Sequence, residues 1–477
     1  MAIRGVRKDI AINPVGNKAG DPSEVFVPEH IELRNGTVTH NKNWMRRNGY
    51  GVAFNIAENS PVSLLIDQGV GFAVTENGKI FRLDTLAQLS VQLQGKFTDE
   101  PYYPTFAKHK EWILICDGGV PVKISTTTND SSVLSDAPNG KYIARIGNRT
   151  VISGYEDAEG EFTEFSWCAL DTPLNWTTGD SGFASIRKDG EALRMMRSSG
   201  QYLYFFKERN TEVWALVGGA TTFQRHESAS FNVGILAGNS LVLSLSSFVW
   251  IGHTGDVYEL VGATPRIISI KYKQAFDDLF GYTDLVGFDF YREYKIRWFS
   301  SRHGKTFVYD YQHKIWSEEN TWQNGWSRLP FNSQMYLNNR CYVGSFIPNG
   351  QIYEFSRDIL DDNGAAIRTL RQYKVEPFKE VSDAGMISKA RFRLKRGETA
   401  TSGTPSLLEL RCKVDNGSWL APKYLDLGAN YDKNPFVDVH LNLFGSQFEF
   451  QLVETGAVEY LVTGMEVTLK PQGARAA

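Results

Sequence analysis

The sequence predicts an all-β chain: a β-propeller of about seven blades (six to eight all fit) followed by a C-terminal antiparallel β-sandwich. Three observations lead there. Hairpin signals recur along the first three quarters of the chain at an even interval. Aromatic residues make up 13% of the chain and glycines number 43, which favours strands joined by tight turns over helices. After residue 365 the texture changes to longer, strictly alternating strands.

The recurring hairpin is an apolar or aromatic run, a polar turn, then a second run. Phe72-Ala73-Val74 passes through Glu76-Asn77-Gly78 to Ile80-Phe81-Arg82-Leu83. Trp112 to Ile115 turns at Asp117-Gly118-Gly119 into Val122-Lys123-Ile124, and Val151-Ile152 leads through Gly160 to Phe162–Phe165. Tyr202 to Phe206 returns as Val213 to Leu216, and Phe248 to Ile251 returns as Val257 to Leu260. Ile296 to Phe299 returns as Phe307 to Tyr309, and Cys341 to Gly344 returns as Ile352 to Phe355. The seven turns, at 78, 118, 160, 210, 255, 304 and 350, lie 40, 42, 50, 45, 49 and 46 residues apart. A period of about 40–50 residues with paired strands in each repeat is the spacing of propeller blades. One such sheet cannot bury both faces alone; stacking the sheets radially buries them, and closing the ring protects the edges.

This organisation places an extended arm leading into a first strand over 1–60, the propeller over 61–365 and the sandwich over 366–477. Residues 1–60 are rich in Asn, Gly and Pro and poorly periodic. One short amphipathic helix is expected at Tyr272 to Asp284, decorating a blade connection. In the last segment Lys389 to Lys395 alternates basic and apolar residues, and Asp415-Asn416-Gly417 predicts a type I′ turn.

Lys+Arg is 51 and Asp+Glu is 54, a formal net charge of -3. That balance excludes a histone-like grip on nucleic acid, which depends on an excess of cations, but not a protein that touches DNA without holding it. Cys116, Cys168, Cys341 and Cys412 are far apart and form no C-x-x-C, so they read as buried, reduced thiols. The N-terminal stretch MAIRGVRKDIAINP has no apolar core of a secretory leader, and the apolar run Leu241 to Gly252 is too short to span a bilayer.

No catalytic constellation emerges, and no cofactor or metal is expected. P-loop, G-x-G-x-x-G, H-E-x-x-H and G-x-S-x-G patterns are all missing from the sequence. Gly179-Asp180-Ser181-Gly182 is similar to the segment around a trypsin-type nucleophile, but Phe183 follows where that family has Gly; a loop between strands is the better reading. Asp415 to Trp419 is similar to the Asp-box turn of sialidases but occurs once, outside the propeller. The acidic pairs Asp277-Asp278 and Asp361-Asp362 read as a solvated helix face and a linker, and His303 and His313 as surface or satisfied core residues. The most specific charge feature is the strand face formed by Lys389, Arg391, Arg393 and Lys395, a basic stripe about 20 Å long that could meet phosphates or an acidic partner subunit, or simply face solvent. Arg4, Arg7, Lys8 and Arg46-Arg47 in the arm carry the same two readings.

Between Phe183 and Ile268 the chain resembles a known family. The elements are the Gly190 turn, the apolar run to Phe206, Thr211-Glu212-Val213-Trp214 closing on Gly218-Gly219-Ala220-Thr221, and an apolar hairpin following Gly234 and Gly238. Phe307-Val308-Tyr309-Asp310 with Trp316, and the Asp415 to Gly417 hairpin, fit the same pattern. Together they resemble the hub or nozzle protein, also called the packaged-DNA stabilisation protein, of short-tailed bacteriophages. The resemblance implies a structural subunit without enzymatic activity. Six copies would form a ring below the head-to-tail adaptor, extend the DNA channel, retain the packaged DNA, carry fibres or spikes, and be closed by a needle or plug. It would assemble in the host bacterial cytoplasm and reside in the virion tail, with double-stranded DNA passing transiently and non-specifically. The alternatives are a glycan-active, sialidase-like propeller enzyme and a monomeric propeller binding module.

Overall fold

The structure is a computed structural model. It describes residues 9–12, 29–38, 44–67, 70–93, 95, 103–128, 130–154, 163–186, 189–219, 221–245, 247–270, 283–302, 304–323, 325–375, 384–399, 407–426, 436–455 and 458–471. Among them, strands dominate, and the helical turns are two three-residue 3-10 stretches, Glu227–Ala229 and Gly238–Ser240. The helix expected at Tyr272 to Asp284 lies almost wholly outside the described residues, as do Gly160, His303, Arg4, Arg7, Lys8 and Asp277-Asp278. The chain divides into two units, each discontinuous in sequence.

One unit, Val52–Gly304 with Pro330–Glu354, is the propeller. It carries seven successive antiparallel sheets. Five are complete four-stranded meanders, beginning at Val62–Asp67, Thr105–His109, Tyr142–Ile146, Leu193–Ser199 and Val242–Ser244. The sixth position holds Val286–Phe290 paired with Lys295–Ser300, and the seventh holds Phe331–Leu337, Arg340–Ser345 and Gln351–Ser356. The expected blade number of about seven is the observed one.

The expected hairpins are the middle strands of the blades. Phe72↔Arg82, Ile113↔Ile124, Val151↔Trp167, Tyr204↔Val213, Trp250↔Tyr258 and Val343↔Tyr353 face one another across them. Each sheet buries both faces against its neighbours, as radial stacking demands. Phe72, Val74 and Ile80 of the first sheet meet Ile113, Ile115 and Ile124 of the second. Phe165, Phe205, Phe206 and Trp250 join the third, fourth and fifth in one core.

The first strands of the sheets line the axis. Thr105–His109 packs beside Tyr142–Ile146, and that beside Leu193–Ser199; Val286–Phe290 packs beside Phe331–Leu337. The ring closes between the last sheet and the first: Met335, Leu337 and Tyr342 share a core with Leu64, Phe81 and Leu83, and the Ser333 hydroxyl donates to the Val62 carbonyl at 3.1 Å. Gly344 stands at this seam, where a Cβ would run into the Val62 carbonyl oxygen and the Ser333 hydroxyl. Backbone is on one side, so the neighbour cannot move aside cheaply. Gly344→Ala is therefore expected to cost about 1–3 kcal/mol of propeller stability, read as a lowered urea midpoint at unchanged slope. A midpoint equal to wild type would show that the seam is looser than described.

The other unit comprises Met1–Gly51, Lys305–Leu329 and Phe355–Ala477. It holds the sandwich. In one sheet Gly385–Thr399 lies between Phe436–Gly445 and Val458–Pro471. In the other, Thr369–Val375, Phe448–Glu454, Leu407–Val414 and Lys423–Asp426 follow in order. Ile387, Phe392 and Val467 of the first sheet interlock with Leu410, Phe448 and Phe450 of the second. The type I′ turn forms one residue earlier than the Asn416-Gly417 pair predicts: φ is positive at Asp415 (47°) and Asn416 (58°), and the Gly417 amide donates to the Val414 carbonyl at 2.8 Å.

The N-terminal segment corrects the expectation of an extended arm. Asp9–Ile12 and Trp44–Arg46 both pair with Val458–Pro471, and Glu29–Arg34 pairs with Thr369–Val375. These short strands take most of their partners from several hundred residues away, so they show no periodicity of their own.

Candidate functional site

The basic strand is where alternation places it. Ala390 and Phe392 are fully buried, while Lys389 and Arg391 are half-buried and Arg393 is exposed. Lys395 continues the strand, its backbone opposite Leu461. The charge, however, is met within the sheet. Register sets Arg391 opposite Asp438. Arg391 grips that carboxylate with both arms of its fork, at 2.7 and 2.9 Å, and Lys389 reaches it at 2.5 Å. Arg391 and Arg393 both lie over the Phe436 ring at 5.4 Å. Glu466 flanks Arg391 on the other neighbouring strand. The stripe is thus a mixed-charge face with Arg393 as its outward cation.

The hydrogen bonds from Arg391, and after them Lys389, hold the Asp438 carboxyl well below the usual carboxylate range. A carboxyl depressed in the folded chain adds stability above its unfolded value of about 3.9 and loses it as pH falls toward the folded value. Wild type should therefore melt higher than Asp438→Asn at pH 6, with the gap narrowing steadily below about pH 4. A gap that stays constant through that range would contradict the assignment.

The other singled-out residues have structural placements. Asp180 accepts from Arg149 and from the Leu170 amide at 2.9 Å, and the Ser181 hydroxyl donates to the Thr178 carbonyl at 2.9 Å. This pins a turn, with the Ser181 hydroxyl spent on a backbone carbonyl. Asp415 accepts three bonds from Ser446 and Gln447 at 2.8–2.9 Å, tying its turn to the neighbouring strand. The His313 ring meets Asp310 at 2.9 Å, so it is a satisfied residue. All four cysteines are free and buried, and burial pushes the Cys341 and Cys412 thiols up to about 12. Asp361-Asp362 corrects the linker reading. Asp362 is buried on Arg47, with oxygens at 2.6 and 2.9 Å from its two terminal nitrogens.

One concave feature was not legible in the sequence. The inner strands of the propeller enclose a cavity of about 510 Å³. Arg197 supplies a cation to its wall, Asp289 a carboxylate, Asn239 and Gln334 carboxamides, and Phe106 and Phe288 rings. These residues come from five different sheets or their leading turns, which only ring closure brings together. Among the described residues no group of three or more His, Cys, Asp or Glu is arranged to hold a metal ion, and no helix is long and apolar enough to cross a membrane.

No protein-family model matches the chain, and no curated protein does. Among solved structures, the chain is similar to the extracellular domain of a hybrid two-component system from B. thetaiotaomicron, at 10% identity and a TM-score of 0.43, covering 73% of this chain and 43% of that one. The WD40 repeats of RRP9 align at 9% identity and a TM-score of 0.40, covering 65% of this chain and 99% of that one. AztD from Citrobacter koseri aligns at 12% identity and a TM-score of 0.36, covering 62% and 86% respectively. The first of these relatives is thus spanned over less than half its length. The chain is a β-propeller joined to a β-sandwich.

Proposed function

We propose that the chain is a structural subunit of a bacteriophage tail hub or nozzle, with no reaction of its own. The observation that carries this reading is the stretch from Phe183 to Ile268, whose pattern resembles that family. In the fold it makes the outer strand of the third sheet and the whole of the fourth and fifth. Its two patterned glycines, Gly234 and Gly238, stand where a Cβ would strike the backbone of Glu208 and Arg194. The pattern therefore encodes sheet-to-sheet packing, as expected of a rigid wall.

The physics of a conduit supports the same reading. A polyanion must slide, and a strongly basic wall would add salt-dependent binding at every step. A net charge of -3, and a basic strand on which Lys389 and Arg391 share Asp438, suit passage better than tight phosphate binding. A six-fold ring needs two different rigid patches on each subunit. On this reading the partners are five further copies, the head-to-tail adaptor, a fibre or spike, and a needle or plug. The chain then belongs to the virion tail, after assembly in the host cytoplasm.

The test is the mass of the chain in native mass spectrometry, alone and with the adaptor of the same virion. Six copies on the adaptor are expected. A chain that stays a 53.7 kDa monomer with the adaptor present would overturn the proposal.

A further inference from the structure

Several buried cations of the propeller unit sit on carboxylates. Lys207 sits on Asp189 at 2.8 Å, Arg297 on Glu293 at 2.7 Å, and Arg149 on Asp180. Arg197 has none. It lies on Leu193–Ser199, the innermost strand of the fourth sheet, half-buried in the wall of the axial cavity. Among the described residues its guanidinium makes no hydrogen bond, ion pair or ring contact. Burial lowers it from its ordinary value, and Tyr142 is the neighbour that opposes the shift. A half-buried guanidinium on a cavity wall, with no carboxylate beside it among the described residues, is placed to meet an incoming anion.

A second donor stands beside it. Asn239 lies on the 3-10 turn Gly238–Ser240, which packs against the same inner strand. Its carboxamide also lines the cavity and has no partner among the described residues. A guanidinium fork and a carboxamide N–H on adjoining elements can together engage both oxygens of one carboxylate.

The charge of the ligand follows from the wall. Arg197 is the one cation among the described residues lining the cavity and balances one negative charge. A dianion such as phosphate would carry an uncompensated charge into a partly enclosed space. Phe106 and Phe288 line the same cavity and add apolar surface, and the volume of about 510 Å³ is in the range of small-molecule sites.

We propose that the axial cavity of the propeller is a binding site for a small organic monocarboxylate, held by Arg197 and Asn239. The site is complete within one chain, so it can be tested apart from any assembly. The experiment is calorimetric titration of the full chain with benzoate, benzamide and inorganic phosphate as probes. Benzoate is expected to bind one per chain, and benzamide and phosphate are not. Arg197→Met should weaken benzoate by about tenfold or more, and Asn239→Ala by a smaller factor. Arg197→Met should also melt no lower than wild type, because the guanidinium has no contacts to lose. If Arg197→Met does not fold, Arg197→Lys serves: it keeps the charge, lacks the fork, and should bind several-fold more weakly. Folded wild type that takes up no benzoate to about 10 mM would overturn the proposal. So would equal affinity in the Arg197 variant, or phosphate binding as tight as benzoate.

Discussion

Asp362→Asn is expected to destabilise the unit that holds the sandwich by about 3–5 kcal/mol, because it strands a buried guanidinium. The Arg47 side chain is completely buried and that of Asp362 nearly so. Burial alone would lower Arg47, and the facing Asp362 carboxylate raises it instead. Burial raises the Asp362 carboxyl, with Arg47 opposing the shift; the two-toothed contact keeps the pair ionised. The network reaches further. Arg47 donates to the Asn35 side-chain oxygen at 2.9 Å and to the Asn320 carbonyl at 3.1 Å, and Asn35 donates to the Arg368 carbonyl at 2.6 Å. Three stretches far apart in sequence are thus joined at one point. Urea denaturation of the full chain should show the loss, and the double variant Arg47→Met/Asp362→Leu should recover part of it, since it removes both charges of the pair while the Asn35 and Asn320 oxygens lose their donor. A loss below about 1 kcal/mol would mean that water reaches Arg47.

Trp250→Ala is expected to cost the propeller a similar amount, about 3–5 kcal/mol. Trp250 is fully buried in the core shared by the third, fourth and fifth sheets. Its ring stands 5.4 Å from Phe206, 5.9 Å from Phe231 and 5.7 Å from Tyr258. Its indole N–H donates to the Gly234 carbonyl at 3.1 Å. The variant loses apolar burial, opens a cavity between stiff sheets and leaves that carbonyl without its indole donor. Trp250→Phe retains a ring and should lose about 1–2 kcal/mol less. Equilibrium unfolding followed by circular dichroism separates the two. Equal losses for Ala and Phe would place the effect in the hydrogen bond alone.

Local chemistry was legible and distant pairing was not. The middle strands of each blade are long, apolar and joined by Gly- or Asn-bearing turns, so Phe72 to Leu83 or Phe248 to Leu260 announce themselves. The inner strands mix polar with apolar residues, as in Thr105-Phe106-Ala107-Lys108-His109, because one side faces the axis. The outer strands, such as Ser131–Val133, are short and half-exposed, and give no period to detect. The basic strand was read correctly as to which side chains turn inward. Its counter-ion Asp438 lies 47 residues from Arg391, and only the strand register reveals it. Asp362 reads as part of a linker for the same reason: Arg47, which neutralises it, is 315 residues away. Arg197 carries no local signal at all, since its meaning depends on six other blades closing around it.

In the proposed role each chain is a stiff module that tiles with its copies into a passage. The most direct measurement is a low-resolution electron-microscopy map of the chain bound to the adaptor ring. Six copies about one axis are expected, each contributing a seven-bladed disc to a continuous wall around an open channel. A single copy on the adaptor, or discs projecting outward with no enclosed channel, would contradict it.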